Sequence, residues 1–215
     1  KNISIVATPL SNESQKKVLL NIEVKDEYTK IIYYKAKAEL TNKKSLSSPY
    51  IPITISGAMP FPLSIEKAYQ KWLFHGPIWH GIKKVEKIGK DGIIATLHPS
   101  RPENCINGIN KDTFWVIDPV IIDSGLQLLI LWMRSNFDIT PLPSRLKSYL
   151  KYNTAPSKGP IKCEVRIHST PTTTNNNGIT SADLFFILPD GNLLGIIEEI
   201  EIVGSKSLNR LTEKR

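Results

Sequence analysis

The chain has 215 residues, with 28 Lys and Arg against 20 Asp and Glu for a formal charge of +8, 40% apolar residues, 15 Pro and 2 Cys. That length suits one large domain or two small ones, and the hydrophobicity is too high and the charge too balanced for a disordered chain. Cys105 and Cys163 are too few for a disulfide framework, and neither has a partner at metal-ligand spacing, so no metal site is expected. The longest apolar run, Leu128 to Met133, falls far short of the roughly 20 residues of a membrane span, so no membrane association is expected. A globular chain of a reducing, cytoplasmic compartment with a basic surface is the expectation. The first residue is Lys1 and no signal peptide follows, so the sequence reads as an excised piece.

In chain order, Ile3 to Ala7 suits a strand, and Leu20-Asn21-Ile22-Glu23-Val24 alternates apolar and polar side chains as a half-buried strand does. A polar turn over Lys25 to Tyr28 leads to Tyr34-Lys35-Ala36-Lys37-Ala38-Glu39-Leu40. This stretch alternates again and predicts an antiparallel partner with one wet face. Residues 41–63 bring Lys43, Lys44, several Ser, and then Pro49, Pro52, Pro60 and Pro62. Proline at that density stops helices and central strands and predicts a linker. Ser64 to Trp72 predicts a short helix with Ile65, Tyr69 and Trp72 on one face.

Ile82 to Ile88, the turn Gly89-Lys90-Asp91-Gly92 and Ile93 to Leu97 predict a hairpin. Residues 98–113, with Pro99, Pro102 and Gly108, predict a loop. Asp118-Pro119 combines a capping carboxylate with Pro at the first helical position, opening a helix to about Met133 or Arg134. Strands follow over Cys163–Ile167, Asp183–Leu188 and Leu193–Val203. Between them lie a polar loop, Thr172 to Gly178, and a turn at Pro189-Asp190-Gly191; Ser207 to Arg215 is a polar tail. Many strands around one strongly apolar helix predict an α+β protein, with an antiparallel sheet wrapped on a central helix.

That helix carries the main chemical anomaly. It is apolar nearly all round, as a buried helix is, yet it holds Asp123 and Gln127, four apart and so on one face. An ionised carboxylate in a dry core costs several kcal/mol unless its pKa rises or it finds strong partners. A carboxylic acid held by an amide is what general-acid catalysis at neutral pH requires. The plainer alternative places both residues at the helix rim, tethering a loop. A second cluster, Leu73-Phe74-His75-Gly76-Pro77-Ile78-Trp79-His80-Gly81, fits a tight backbone passage forming one wall of a narrow pocket, or a simple turn with packed aromatics. A third, Leu142-Pro143-Ser144-Arg145-Leu146, either edges the same cavity or starts the next strand.

Taken in order, the three clusters resemble the dehydratase domains of modular polyketide synthases and related fatty-acid-type megasynthases. Phe74-His75-Gly76-Pro77-Ile78-Trp79 looks like that family's aromatic-x-Gly-Pro-x-aromatic motif, Asp123-Ser124-Gly125-Leu126-Gln127 its Asp-x-x-x-Gln/His motif, and Leu142-Pro143 its Leu-Pro motif. The resemblance covers about residues 60–205, with Asp118–Gln127 the most specific part. It implies a double hot dog, two antiparallel sheets each wrapped on a long helix, with the first hot dog incomplete. Residues 1–45 would be closing strands of that N-terminal hot dog, 46–63 a linker, 64–205 the C-terminal hot dog and 206–215 the tail. It also implies loss of water from a 3-hydroxyacyl chain on an acyl carrier protein to give a 2-enoyl thioester. Asp123 would act as acid and Gln127 would orient it. Phe74, His75, Gly76, Pro77, Trp79, Leu142 and Pro143 would line the substrate site, with a Gly76-Pro77 backbone N–H on the thioester carbonyl. No metal or organic cofactor is implied, the substrate riding on the carrier protein's phosphopantetheine. The implied partners are the carrier protein and neighbouring synthase domains, with a homodimer allowed.

The family's base is a histidine in a His-x-x-x-Gly-x-x-x-x-Pro motif, and none of His75, His80, His98 or His168 has Gly four residues on. A tyrosine usual in the Gly-Pro motif is also replaced in the stretch Leu73-Phe74-His75. Three readings follow: the base lies upstream of this chain; the domain is catalytically inactive and serves as a binding or structural module of the synthase; or His75 or His80 substitutes as base. The dispersed lysines, among them Lys43, Lys44, Lys83, Lys84, Lys87, Lys90, Lys147 and Lys151, suit solvated surface or an acidic carrier protein better than nucleic acid. Arg145, Lys147 and Lys151 are expected near the pocket mouth.

Overall fold

A computed structural model of the chain describes residues 2–11, 17–41, 50–152, 159–169, 171–174 and 177–212. They belong to two compact units, Lys1–Ser45 and Leu46–Arg215. Lys43 and Lys44, the first part of the expected linker and the end of the polar tail lie outside the described residues.

The first unit is an antiparallel meander of β1 (Ile3–Ser11), β2 (Lys17–Asp26) and β3 (Ile32–Thr41). Its β2–β3 turn is tied by Asp26, whose Oδ1 accepts the N–H groups of Tyr28 and Thr29 at 2.9 and 2.8 Å. The Tyr33 hydroxyl donates to Asp26 Oδ2 at 3.2 Å. The strands run longer than the alternating cores suggest. Leu20, Ile22 and Val24 are half-buried as expected, but so are Asn21 and Glu23 between them, while Ile5, Val18, Tyr34 and Leu40 are exposed and Asp26 is buried. Alternation marks which side chains share a face, but burial needs a second layer, and three strands alone supply none.

The second unit holds the core. Helix α1 (Ile65–Lys71) is capped by Ser64, whose hydroxyl accepts the Lys67 N–H. A 3-10 turn at Pro77–Trp79 leads into the hairpin β4 (Ile82–Ile88) and β5 (Gly92–Leu97). The expected loop after it contains one helical turn, α2 (Pro102–Cys105), which Pro102 opens at its first position. The long helix α3 (Pro119–Phe137) is followed by β6 (Thr140–Arg145), β7 (Ser148–Lys151), β8 (Ile161–Ile167), β9 (Thr172–Thr174), β10 (Asn177–Ile187) and β11 (Leu193–Ser205). A 3-10 stretch, Lys206–Thr212, follows. The part of the expected polar loop that is described is thus a strand: the β-branched Thr172–Thr174 pairs antiparallel with β10.

The sheet order is β4-β5-β8-β10-β11-β6, antiparallel throughout, with β7 also pairing β11. It wraps α3. Leu128, Leu129, Leu131, Trp132 and Met133 are fully buried among Ile93, Leu97, Val165, Leu184 and Phe186. Each such side chain contributes roughly 1.5–3 kcal/mol of burial. Gly125 sets the closeness of helix and sheet, since a Cβ there would lie 2.7 Å from Phe186 Cζ. Along β11 the buried set changes parity, from Leu193, Gly195 and Ile197 to Ile200, Ile202 and Gly204. The switch falls at a bulge where Glu199 takes φ 47° and its N–H bonds Asp183 Oδ1 at 2.9 Å.

Helix α3 runs about one turn past the expected end. Arg134 packs over the Trp72 ring at 5.7 Å and pairs with Asp138 at 3.1 Å, and Asp138 closes the helix in the left-handed region at φ 53°. Asn209 Nδ2 donates to the Asp138 carbonyl at 3.0 Å. The described part of the expected linker is fastened rather than loose. The Tyr50 hydroxyl and the Ile53 N–H both donate to Glu164, whose fully buried carboxylate also pairs with Lys162 at 2.6 Å.

Candidate active site

Asp118 and Pro119 start α3 as expected. Asp118 Oδ1 accepts the N–H groups of Val120 and Ile121 at 2.9 and 3.3 Å and the Ser100 hydroxyl at 2.7 Å; Oδ2 takes the Ser100 N–H at 2.6 Å. From this fixed start, one turn of helix separates Asp123 from Gln127. Gln127 is wholly buried, whereas the Asp123 side chain keeps 28% of its surface. The dry-core expectation is therefore corrected for Asp123: it lies at the core margin, reachable from solvent, and has found a partner. Gln127 Nε2 donates to Asp123 Oδ2 at 2.7 Å and to the Trp79 carbonyl at 2.9 Å.

The surroundings dictate which way the Gln127 amide points. The Trp79 carbonyl can only accept, so it faces Nε2. On the opposite side the Tyr69 hydroxyl accepts the Ile82 N–H at 3.1 Å and donates its own proton to Gln127 Oε1 at 2.9 Å. Burial pushes the Tyr69 phenol up to about 12, the Ile82 N–H opposing and Asp123 adding to the shift, so the hydroxyl keeps its proton at neutral pH. Every donor and acceptor of the Gln127 amide is engaged, and its remaining N–H is aimed at Asp123.

The His75–Trp79 segment forms the facing wall. His75 Nε2 lies 3.6 Å from Asp123 Oδ2, with the imidazole stacked on Phe74 at 4.5 Å between centroids. His80 Nε2 donates to the His75 carbonyl at 3.0 Å, and the His80 ring stacks on Tyr69 at 3.8 Å. Pro77 opens the 3-10 turn that places the Trp79 carbonyl over Gln127. The expected tight passage is not at Gly76: it has φ −73°, and a Cβ there would meet nothing within 4 Å. The tight position is Gly81, where a Cβ would lie 2.2 Å from Ser124 Oγ on α3.

Asp123, Gln127, His75 and Trp79 are thus brought together, with Phe74, Gly76 and Pro77 in the segment carrying them. Leu142 and Pro143 are placed differently, on the edge strand β6 opposite Val203 and Ile202, with Leu142 exposed. An edge strand tolerates Pro143 because its missing N–H costs no ladder bond. A cavity of about 580 Å³ lies along another flank of α3, lined by Trp115, Ile117, Ile121, Ile122, Tyr149 and Leu194. Lys151 lines it too, while Lys147 is paired with Glu199 and Arg145 stands opposite Glu201. Among the described residues no cluster of three or more His, Cys, Asp and Glu could hold a metal ion. Burial pushes the Cys163 thiol up, which keeps it unreactive. Tyr69 joins this network unannounced by the sequence, in which it is one aromatic on a short helix face. Nothing in its spacing links it to Gln127.

The arrangement is a solvent-reachable carboxyl, fixed by a buried amide, beside an imidazole: a set suited to proton transfer. No helix among the described residues is long and apolar enough to cross a membrane. The fold is similar to solved dehydratase domains: that of a trans-AT polyketide synthase from Brevibacillus brevis (18% identity, 91% of this chain and 67% of that chain, TM-score 0.64); that of RzxB from Pseudomonas fluorescens (12%, 93% and 67%, 0.62); and that of PpsC from Mycobacterium tuberculosis (16%, 94% and 67%, 0.61). The chain spans about two thirds of each of these. No curated protein sequence matches it. Residues 52–210 match the family model described as the polyketide synthase dehydratase N-terminal domain. With most of the chain covered by that match, and an α+β hot-dog fold to accompany it, this protein belongs to the polyketide synthase dehydratase family.

Proposed function

We propose that the chain serves the dehydration of a 3-hydroxyacyl thioester, carried on the phosphopantetheine of an acyl carrier protein within a polyketide synthase, with Asp123 as the general acid. The observation that carries this is the 2.7 Å hydrogen bond from the buried Gln127 amide to Asp123 Oδ2, within the residues that match the family. Gln127 and the partly buried His75 both address Oδ2, which leaves Oδ1 to hold the acidic proton. Asp123 gives that proton to the C3 hydroxyl as the C3–O bond breaks. A base removes the C2 proton, and its electron pair becomes the C2=C3 bond.

Gly76 supplies a backbone N–H to the thioester carbonyl, and the space a Cβ would occupy at that position is open. Phe74, Pro77 and Trp79 supply apolar contact, and neighbouring synthase domains deliver and receive the acyl group. No metal or organic cofactor takes part in this scheme.

The test is Asp123→Asn, assayed with 3-hydroxybutyryl-N-acetylcysteamine in the 215-residue chain and in the longest natural polypeptide that carries it. General-acid catalysis is worth about 10²–10⁴-fold. A loss of at least about 100-fold with unchanged Tm supports the assignment, and retained activity overturns it. A chain inactive in both settings that still binds loaded carrier protein would make it a binding module.

A further inference from the structure

We infer that the lysines of α1 and β4 form the docking surface for an acidic acyl carrier protein; the inference rests on the dehydratase reading above and places its partner on the molecule. The surface follows from the sequence. On α1, Lys67 and Lys71 are four apart and share an exposed face, while Ala68 and Tyr69 turn inward. Strand β4 is an edge of its sheet and carries two irregularities, between Ile82 and Lys84 and between Val85 and Lys87. Each inserts one residue, so the inward positions Ile82, Val85 and Ile88 come three apart instead of two. Lys83, Lys84 and Lys87 are left exposed, and Lys90 is exposed in the turn that follows.

Charge, position and shape all point to an acidic protein here. None of these lysines pairs with a carboxylate among the described residues, whereas Lys17, Lys25, Lys35, Lys147 and Lys162 do. The carboxylates between Ser64 and Gly92 are Glu66, Glu86 and Asp91, and the last two already accept the hydroxyls of Thr96 and Ser56. The lysines also bracket the turn that walls the candidate site, since α1 leads into it and β4 leaves it. That turn exposes Ile78 and Trp79, at 48% and 37%, and an apolar, aromatic centre within a charged rim is the anatomy of a protein interface. Beside it, a groove of about 370 Å³ lined by Phe61, Ile65, Val85, Lys83 and Lys84 has room for an apolar side chain of a partner. The same turn carries the Trp79 carbonyl that holds Gln127 and the imidazole that faces Asp123, so a carrier protein seated here presents its thioester beside Asp123. The cations expected at the mouth do not compete for this role: Lys147 is paired with Glu199, Arg145 stands opposite Glu201, and Lys151 lines the other cavity. Complementary charge of this kind speeds encounter and rejects wrong partners, and salt screens it.

The experiment measures binding of the 215-residue chain to the acyl carrier domain of its synthase, loaded with a 3-hydroxybutyryl group, at about 50 and about 300 mM NaCl. Lys83→Glu, Lys84→Glu and Lys87→Glu are combined in one variant. Lys111→Glu, Lys151→Glu and Lys206→Glu are combined in a second, with the same change in net charge. Charged side chains guard an exposed strand edge, so glutamate on β4 keeps that protection and removes only the attraction. Tm checks the folding of both. The inference expects wild-type binding that weakens with salt, a loss of at least about tenfold in the first variant at low salt, and less than about threefold in the second. No binding by the wild type, or equal loss in the two variants, overturns it. So does a single-stranded RNA oligonucleotide that binds the wild type as tightly as the carrier does, which would make the face a general polyanion surface. Binding needs no turnover, so the two readings fail separately. Wild-type turnover by Asp123→Asn would remove the dehydratase reading and leave the docking surface standing. Equal binding losses beside Asp123-dependent turnover of 3-hydroxybutyryl-N-acetylcysteamine would remove the docking surface alone.

Discussion

Tyr69 Oη and Gln127 Oε1, 58 residues apart in sequence, are joined by a 2.9 Å hydrogen bond that fixes the direction of the Gln127 amide. Together with the Trp79 carbonyl on the Nε2 side, that donor holds the orientation that offers an N–H to Asp123. Tyr69→Phe leaves Gln127 Oε1 and the Ile82 N–H unsatisfied in the core, a cost of roughly 1–3 kcal/mol. The expected outcome is a lower denaturation midpoint together with a drop in kcat larger than the change in KM. Combined with Gln127→Leu, the effects on kcat should be strongly non-additive, because both substitutions disable the same device. Additive losses in a double-mutant cycle would mean that Tyr69 only packs.

Gly81 and Gly76 flank the same turn yet answer to different constraints. Alanine at 81 drives a Cβ into Ser124 Oγ and Val120 Cγ1, at 2.2 and 2.9 Å, and pushes α3 away from the hairpin. Such overpacking costs about 1–3 kcal/mol. Ser124→Ala in the same chain should recover part of the loss. Alanine at 76 meets nothing and keeps an ordinary φ, so stability should stay within about 0.5 kcal/mol of wild type. Under the proposed function it should still raise KM, because the open space there is where the thioester approaches. Chemical denaturation and initial rates separate the two.

Asp118 spends both carboxylate oxygens on the start of α3 and on Ser100, and the Ser100 hydroxyl in turn accepts from Trp115 Nε1 at 2.9 Å. Asp118→Ala removes a helix cap, typically worth 0.5–2 kcal/mol, and releases the loop holding Trp115. A lower Tm accompanied by a changed Trp emission spectrum is expected. A Tm loss without a spectral change would show that the loop is held by other contacts.

Asp91, in the β4–β5 turn, accepts the Ser56 hydroxyl at 2.6 Å and the Ser56 N–H at 2.8 Å. Burial pushes its carboxyl up, but the bonds from Ser56 and from its own backbone outweigh that and hold it below its ordinary value of 3.8. A carboxyl with a lowered folded pKa stabilises the fold above its unfolded pKa and loses that contribution as pH falls through the folded value. Wild type should therefore exceed Asp91→Asn in Tm at pH 7. The gap should stay constant down to about pH 5 and close below pH 4. A gap widening in acid would contradict the sign.

Much of the architecture is legible in local pattern. Ser64, Asp118-Pro119 and Asp91-Gly92 each carry their own stereochemistry, so the two helix starts and the hairpin turn follow from residues within one or two turns of the event. Asp123 and Gln127 are legible for the same reason, since four residues on a helix make one face. Less legible are features that depend on a partner distant in sequence. The β11 bulge at Glu199 depends on Asp183, and the Thr172–Thr174 strand depends on the waiting edge of β10.

The sequence by itself determined the buried helix and its paired Asp123 and Gln127, because period and spacing are properties of a chain read alone, and its motifs carried the resemblance to the family that the family match shows. Only the tertiary structure decided what Gln127 is bonded to, that Asp123 stays open to solvent, and that His75 rather than His80 faces it. It also moved the close backbone approach from Gly76 to Gly81 and set Leu142 and Pro143 on an edge strand. The physical reason is common to all of these. Hydrogen-bond direction, residual exposure and steric contact are properties of pairs, and the partners of Gln127 at Tyr69 and Trp79 come from stretches of chain 58 and 48 residues away that only folding brings within 3 Å.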